Sequence, residues 1–144
     1  MNQGGHCSPP PLLENKMSYY YPEHVHFSTA AGTGGETSIT FHERMEVVAA
    51  KVVDFDGIAA DGTNYATFQV LGNDKATVLL QWATLDTAQG ALTANVSADL
   101  VSQNRQDKAI FDAGDVLIIK VVKASSGKAT KASICLQLRQ ARNY

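Results

Sequence analysis

Alternation with a period of two residues constrains this chain more than any other feature. From Ser133 to Arg139, the apolar side chains Ile134, Leu136 and Leu138 fall on one side of an extended backbone, and Ser133, Cys135, Gln137 and Arg139 on the other. That pattern suits a strand with one buried face, whereas a helical winding would scatter the apolar residues around its axis. Upstream, Val116–Val122 is apolar except at Lys120. A small polar linker, Lys123–Thr130, separates the two runs and contains Gly127. The pair reads as a closing hairpin. Ile134, Leu136 and Leu138 are expected to face a core shared with Phe111, Trp82 and Phe68.

The same signal recurs along the chain. Strands are expected to begin around Thr37, where Ile39 and Phe41 alternate with Ser38, Thr40 and His42. Met45–Val53 is a second apolar run, followed by the turn chemistry of Asp54-Phe55-Asp56-Gly57 and Asp61-Gly62. Thr63–Leu71 sets Tyr65, Thr67, Gln69 and Leu71 against Asn64, Ala66, Phe68 and Val70. Gly72-Asn73-Asp74-Lys75 then turns the chain into Thr77–Thr84, a second hairpin. Asp86–Gly90 reads as a loop, Ala91–Asp99 as a weak alternation, and Asp99–Lys108 as either a helical turn or a long loop. No fixed-period repeat is visible. Short strands, turn residues between them and no long amphipathic helix predict an all-β sandwich or barrel.

Composition supports that reading and excludes others. A chain of 144 residues with 44% apolar residues suffices for one domain burying roughly 68–70% of its unfolded surface. Charged residues are only 18% and the net charge is −2. No clustered Lys/Arg footprint is present, so a nucleic-acid partner is not expected. No apolar run approaches the ~20 residues of a membrane helix, and no charged-then-apolar leader pattern opens the chain. The two cysteines, Cys7 and Cys135, can form a disulfide, but without a framework of further pairs the reduced, intracellular state is the expected one. Strands this poor in charge need a covered edge or face, supplied by another chain.

Residues 1–37 differ from the rest. Met1–Lys16 is rich in Pro and Gly without apolar periodicity, and Met17 reads as an alternative start. Pro9-Pro10-Pro11 favours an extended polyproline conformation, Tyr19-Tyr20-Tyr21 precedes Pro22, and Ala30–Gly35 has linker composition. The expected organisation is an extended arm and flexible linker over 1–37 and a β-sandwich over 38–144. Pro9, Pro10, Pro11, Tyr19, Tyr20, Tyr21 and Pro22 are the candidate partner-binding residues. Stiff prolines lose little entropy on docking, and tyrosines bury a ring while keeping the hydroxyl paired.

Candidate chemistry is sparse. His24 and His26 share one face of an extended segment and could bind zinc with a third ligand from His42, Glu23 or Cys7; His6 completes the histidines. Asp54, Asp56 and Asp61 cluster around two glycines, but the alternating acidic loop of a calcium site is incomplete. No nucleophile elbow, phosphate loop or Cys–His context occurs. The sequon Asn95-Val96-Ser97 is formal, and Trp82 reads as a core residue rather than a sugar platform. The residues therefore predict no catalytic site, no metal site and no cofactor.

The closing segment FDAGDVLIIKVVKASSGKATKASICLQLR, where Phe111 and then Gly114-Asp115 launch a long strand, resembles the last hairpin of jelly-roll and related β-sandwich modules. The middle segment, Gly57–Thr84, looks like the small tailed-bacteriophage head proteins of the cement or decoration class. The resemblance runs from Arg44 onward, about two-thirds of the chain. It implies a jelly-roll-like β-sandwich with an extended N-terminal arm, self-association as a homotrimer, and the major capsid protein as partner. It implies a location on the capsid surface of a virion assembled in the host cytoplasm, and carries no catalytic residue. Two other readings use the same fold: a receptor- or glycan-binding knob of a phage fibre, displaying Tyr19–Tyr21 and Tyr65, and a small hydrolase or metal enzyme built on His24, His26 and the aspartates.

Overall fold

A computed structural model describes residues 20–103 and 109–141, with side chains from Glu23 onward. Among the described residues, ten strands run β1 (Tyr20–Thr29), β2 (Gly35–Thr40), β3 (Met45–Asp54), β4 (Ala66–Leu71), β5 (Val78–Ala83), β6 (Ala98–Asp99), β7 (Val101–Ser102), β8 (Ile110–Phe111), β9 (Val116–Lys123) and β10 (Thr130–Gln140). They form two sheets. The first is ordered β1-β10-β3-β6, with β8 also on β3; the second is ordered β2-β9-β4-β5-β7. All pairings are antiparallel.

Followed from its two ends, the chain is one double ribbon. β1 runs with β10, β2 with β9, β3 with β6 and β8, and β4 with β5. Successive pairs alternate between the sheets until β4 and β5 close the ribbon as a hairpin. A double ribbon wound over a shared core is a jelly roll. Its inward positions are those the alternation marks: Ile134, Leu136 and Leu138 from β10, Leu117, Ile119 and Val121 from β9, and Ala66, Phe68 and Val70 from β4 all join one core with Phe111. Trp82 packs against this core half-buried, its indole N–H donating to the Gly90 carbonyl at 3.0 Å.

Two expectations change. Among the described residues, strands begin at Tyr20 rather than near Thr37, so the segment assigned to arm and linker carries β1 and the start of β2. The closing hairpin is also not a hairpin: β9 and β10 belong to opposite sheets. Each presents an apolar face to the same core from its own side, and the linker between them crosses the sandwich. The β4–β5 hairpin stands as expected, its turn formed by Lys75 in the left-handed region (φ 63) and by the Asp74 carboxylate accepting from the Ala76 and Thr77 amides. The weak alternation at Ala91–Asp99 yields only the Ile58–Leu92 bridge and β6. Residues 99–103 are strand and coil, without a helical turn.

Candidate interaction surface

One end of the sandwich gathers the β1–β2 turn, the loop after β3 and the β9–β10 linker into a polar corner. The Lys123 ammonium donates to Thr29 Oγ1 at 3.1 Å, to the Ala30 carbonyl at 3.2 Å and to the Lys128 carbonyl at 2.7 Å. Lys128 in turn donates to the Gly57 carbonyl at 2.8 Å. The Gly32 amide donates to the Gly127 carbonyl at 2.7 Å, and the Ala124 amide to the Tyr65 carbonyl at 2.9 Å. Gly127 is required here, since a Cβ would stand 2.7 Å from the Tyr65 carbonyl oxygen. These bonds hold β1 and β2 against the rest of the molecule at their connecting turn.

Asp54 lies beneath this corner, fully buried. Its Oδ1 accepts the Asp56 amide at 3.0 Å, while Oδ2 is buried without a hydrogen-bond partner. Burial pushes the Asp54 carboxyl above its ordinary range, against the opposing effects of the Asp56 and Gly57 amides and of Lys128. Burial lowers the Lys123 ammonium, opposed by the charge of Asp54. Asp61 serves a separate turn, its Oδ1 accepting the Thr63 and Asn64 amides at 2.7 and 2.8 Å. Those two bonds hold the Asp61 carboxyl below its ordinary range. Of the aspartates singled out in the sequence, Asp54 through Oδ1 and Asp61 through Oδ1 thus serve local turns, and Asp56 contributes its backbone amide.

The side of the sandwich formed by β1 and β2 is its long rim. Among the described residues, β1 pairs only with β10, over ten consecutive positions, and β2 only with β9, over six. β1 directs Val25 and Phe27 toward the core and leaves His24, His26 and Ser28 exposed on its other face. A shallow groove lies where β2 meets β9, lined by Gly34, Glu36, Lys120, Val122 and Lys123. Gly34 lets the backbones close up, because a Cβ there would stand 2.5 Å from the Val121 carbonyl oxygen. A strand edge that pairs on one side among the described residues, beside a carboxylate and two ammonium groups, can accept an added strand or another subunit.

Of the candidate partner-binding residues, Tyr20, Tyr21 and Pro22 form the first rungs of β1, opposite Arg139, Leu138 and Gln137. Pro9, Pro10, Pro11 and Tyr19 lie outside the described residues. Among the described residues, no group of three or more His, Cys, Asp or Glu side chains comes together. Asn95 sits in an exposed loop with a left-handed backbone (φ 61). Cys135 overturns the reduced state expected of the cysteines, because it is disulfide-bonded. Two features escaped the sequence: the buried, half-satisfied Asp54 and the three-acceptor role of Lys123. Asp54 ends an apolar run and Lys123 opens a polar linker, so both look like surface punctuation.

These features define a jelly-roll β-sandwich with one long rim formed by β1 and β2. No protein-family model matches the chain, and no curated protein sequence does. Among solved structures, that of desmodium yellow mottle tymovirus is 11% identical with a TM-score of 0.41, over 97% of this chain and 91% of that one. The infectious bursal disease virus Gx strain structure is 16% identical with a TM-score of 0.39, over 86% of this chain and 32% of that one. The VP2 subviral particle of infectious bursal disease virus is 12% identical with a TM-score of 0.38, over 86% and 33%. The chain therefore spans most of the first of these and about a third of the other two.

Proposed function

We propose that this chain is a non-enzymatic structural protein of a virion, a subunit that packs against a capsid shell. The observation that carries the reading is the ribbon topology of the described residues, with its long β1–β2 rim. Jelly rolls of this kind build viral shells as well as lectin and cupin domains, and fold alone does not choose among them. The side chains favour the shell. Asp54 and Asp61 serve turns, the only tryptophan is tied to Gly90, and the most extended feature left for a partner among the described residues is strand edge.

In its finer form, the chain is a cement or decoration protein. It sits as a homotrimer on the capsid surface, binds between major capsid protein subunits and joins the particle in the host cytoplasm. That form rests on the resemblance of Gly57–Thr84 and of the closing segment to tailed-bacteriophage head proteins. Pro9, Pro10, Pro11 and Tyr19 would extend the contact beyond β1. Cryo-electron microscopy of purified particles carrying a C-terminally tagged protein tests the reading. Density over the shell between capsid subunits is the expected result; tag at fibre tips, or none on particles, overturns it. Light scattering of the purified protein should give a trimer mass, and a monomer mass removes the trimer.

A further inference from the structure

We propose that Asp54 and Lys123 form a proton-operated latch on the β1–β2 turn. With the Asp54 carboxyl neutral, the Lys123 ammonium holds that turn to the β9–β10 linker; once the carboxyl ionises, the ammonium moves to it and frees the turn. Strand parity brings the two groups together. Asp54 ends β3, in step with the core residue Val52 and opposite Ala132, itself in the core, so it points between the sheets. Lys123 ends β9, in step with Leu117, Ile119 and Val121 and opposite Ala66, also in the core. It therefore enters the same space from the second sheet. Thr29 and Thr130, paired at the ends of β1 and β10, belong to this layer, and Thr130 is fully buried. One end of the apolar core is thus finished by a polar rung.

Three charged side chains act on Asp54. Asp56, in the loop after β3, disfavours its charge; Lys128 of the linker and Lys123 favour it. Lys131 of β10 is exposed and, being next to the inward Ala132, faces away. The loop around Asn95 supplies a backbone amide to the Asp54 carbonyl at 2.9 Å. The β1–β2 turn supplies Thr29 and Ala30, which carry no charge. Both lysines are bonded to neutral oxygens, Lys128 to Gly57 and Lys123 to Thr29, Ala30 and Lys128. Oδ2 of Asp54 has no hydrogen-bond partner.

A buried neutral carboxyl tolerates an unpaired oxygen far better than a buried carboxylate does. Ionisation of Asp54 therefore demands a cation. Lysine carries its charge on a flexible stem, and a bond from ammonium to carboxylate is stronger than one to a neutral oxygen. Lys123 answers because its stem already enters the space between the sheets. After the move, the Ala30 carbonyl keeps the Thr33 amide of its own turn at 3.1 Å, and the Gly32 amide on the Gly127 carbonyl is left to hold turn to linker. Burial raises the Asp54 carboxyl, so the release falls at higher pH than the ionisation of a surface aspartate. The latch does not depend on the virion reading and is tested on the purified full chain.

Nuclear magnetic resonance reads both halves of the latch: the pH titration of the Asp54 carboxyl carbon, and the exchange protection of the Gly32 amide corrected for the intrinsic pH dependence of exchange. The carboxyl should titrate above the ordinary carboxyl range. Through the same midpoint, Gly32 protection should fall about tenfold or more as the turn opens locally. Asp54→Asn should keep Gly32 protected across that interval. Lys123→Met, which cannot donate, should leave Gly32 poorly protected throughout and move the Asp54 midpoint higher. In the wild type alone, an Asp54 midpoint within the ordinary range, a carboxyl that never ionises while the chain is folded, or Gly32 protection that does not follow the midpoint overturns the latch. A Lys123→Met chain that repeats the wild-type fall overturns the role of Lys123.

Discussion

The two rims of the sandwich are held by different means. The β1–β2 rim is built from long, regular strands whose ladders run ten and six positions. The opposite rim consists of three two-residue strands, β6, β7 and β8, fixed by buried anchors: Leu100 between β6 and β7, and Phe111 in β8 with its ring 5.0 Å from that of Phe41. Short strands make a blunt edge that offers little backbone to a neighbour, whereas a long ladder offers a template. The contrast separates the side that finishes the fold from the side that can be extended by a partner.

The largest effect expected is from cutting away the long rim. Deleting residues 1–35 removes all of β1 and takes Phe27 from the core, so the cooperative thermal transition seen by circular dichroism should be lost. Deleting only residues 1–19 should keep a cooperative transition. If the 1–35 deletion folds normally, β1 is an accessory and the contrast between rims collapses. On the short rim, Phe111→Ala should cost about 3–5 kcal/mol in denaturant unfolding, because the ring pins β8 where only two backbone positions pair. Leu136→Ala, in the strand that supports β1, should cost about 2–5 kcal/mol. Little change at Phe111 would mean that backbone pairing holds both rims.

Asp54 gives a pH signature at the long rim's corner. Its folded carboxyl holds a proton more tightly than the unfolded one does. The stabilisation is therefore fully present below the ordinary carboxyl range and is lost as pH rises through the raised folded value. Against Asp54→Asn, the wild type should lose thermal stability steadily as pH rises above the ordinary carboxyl range; a constant difference would show that the carboxyl does not titrate with folding. The smallest effect belongs to the exposed Lys51–Asp99 pair, which ties β3 to β6. Lys51→Ala should cost about 0–1 kcal/mol and less at high salt.

Much of this fold was legible residue by residue. The parity of Ile134, Leu136 and Leu138 predicts their burial, and Gly72-Asn73-Asp74-Lys75 predicts the β4–β5 hairpin. Other features were hidden. β1 is an edge strand that turns Val25 and Phe27 toward the core, while Pro22, Glu23, His24 and His26 interrupt the apolar signal. Its partner β10 lies at the far end of the chain, beyond the reach of any local window. The β9–β10 linker looks like a hairpin turn because a crossing between sheets uses the same small polar residues. Cys135 was concealed by its own parity, since an outward position on an alternating strand promises solvent. The β1–β2 rim, the most extended candidate surface, was visible only as tyrosines and prolines, since backbone edges carry no residue signature.

The double ribbon also sets an order of assembly. β4 and β5 meet across a short turn, whereas each pair further along the ribbon closes a longer loop, which costs more chain entropy before any contact is gained. Zipping from the hairpin outward lets every closed pair shorten the next loop, so β1 and β10 come together last. On the ribosome, β1 is made first and waits unpaired until the final strand emerges. A chain stopped before Thr130 keeps every strand of the second sheet but leaves β1 and β3 flanking a gap. Premature termination would thus release a half-built molecule with two open strand edges facing each other, an aggregation hazard that the last strand removes.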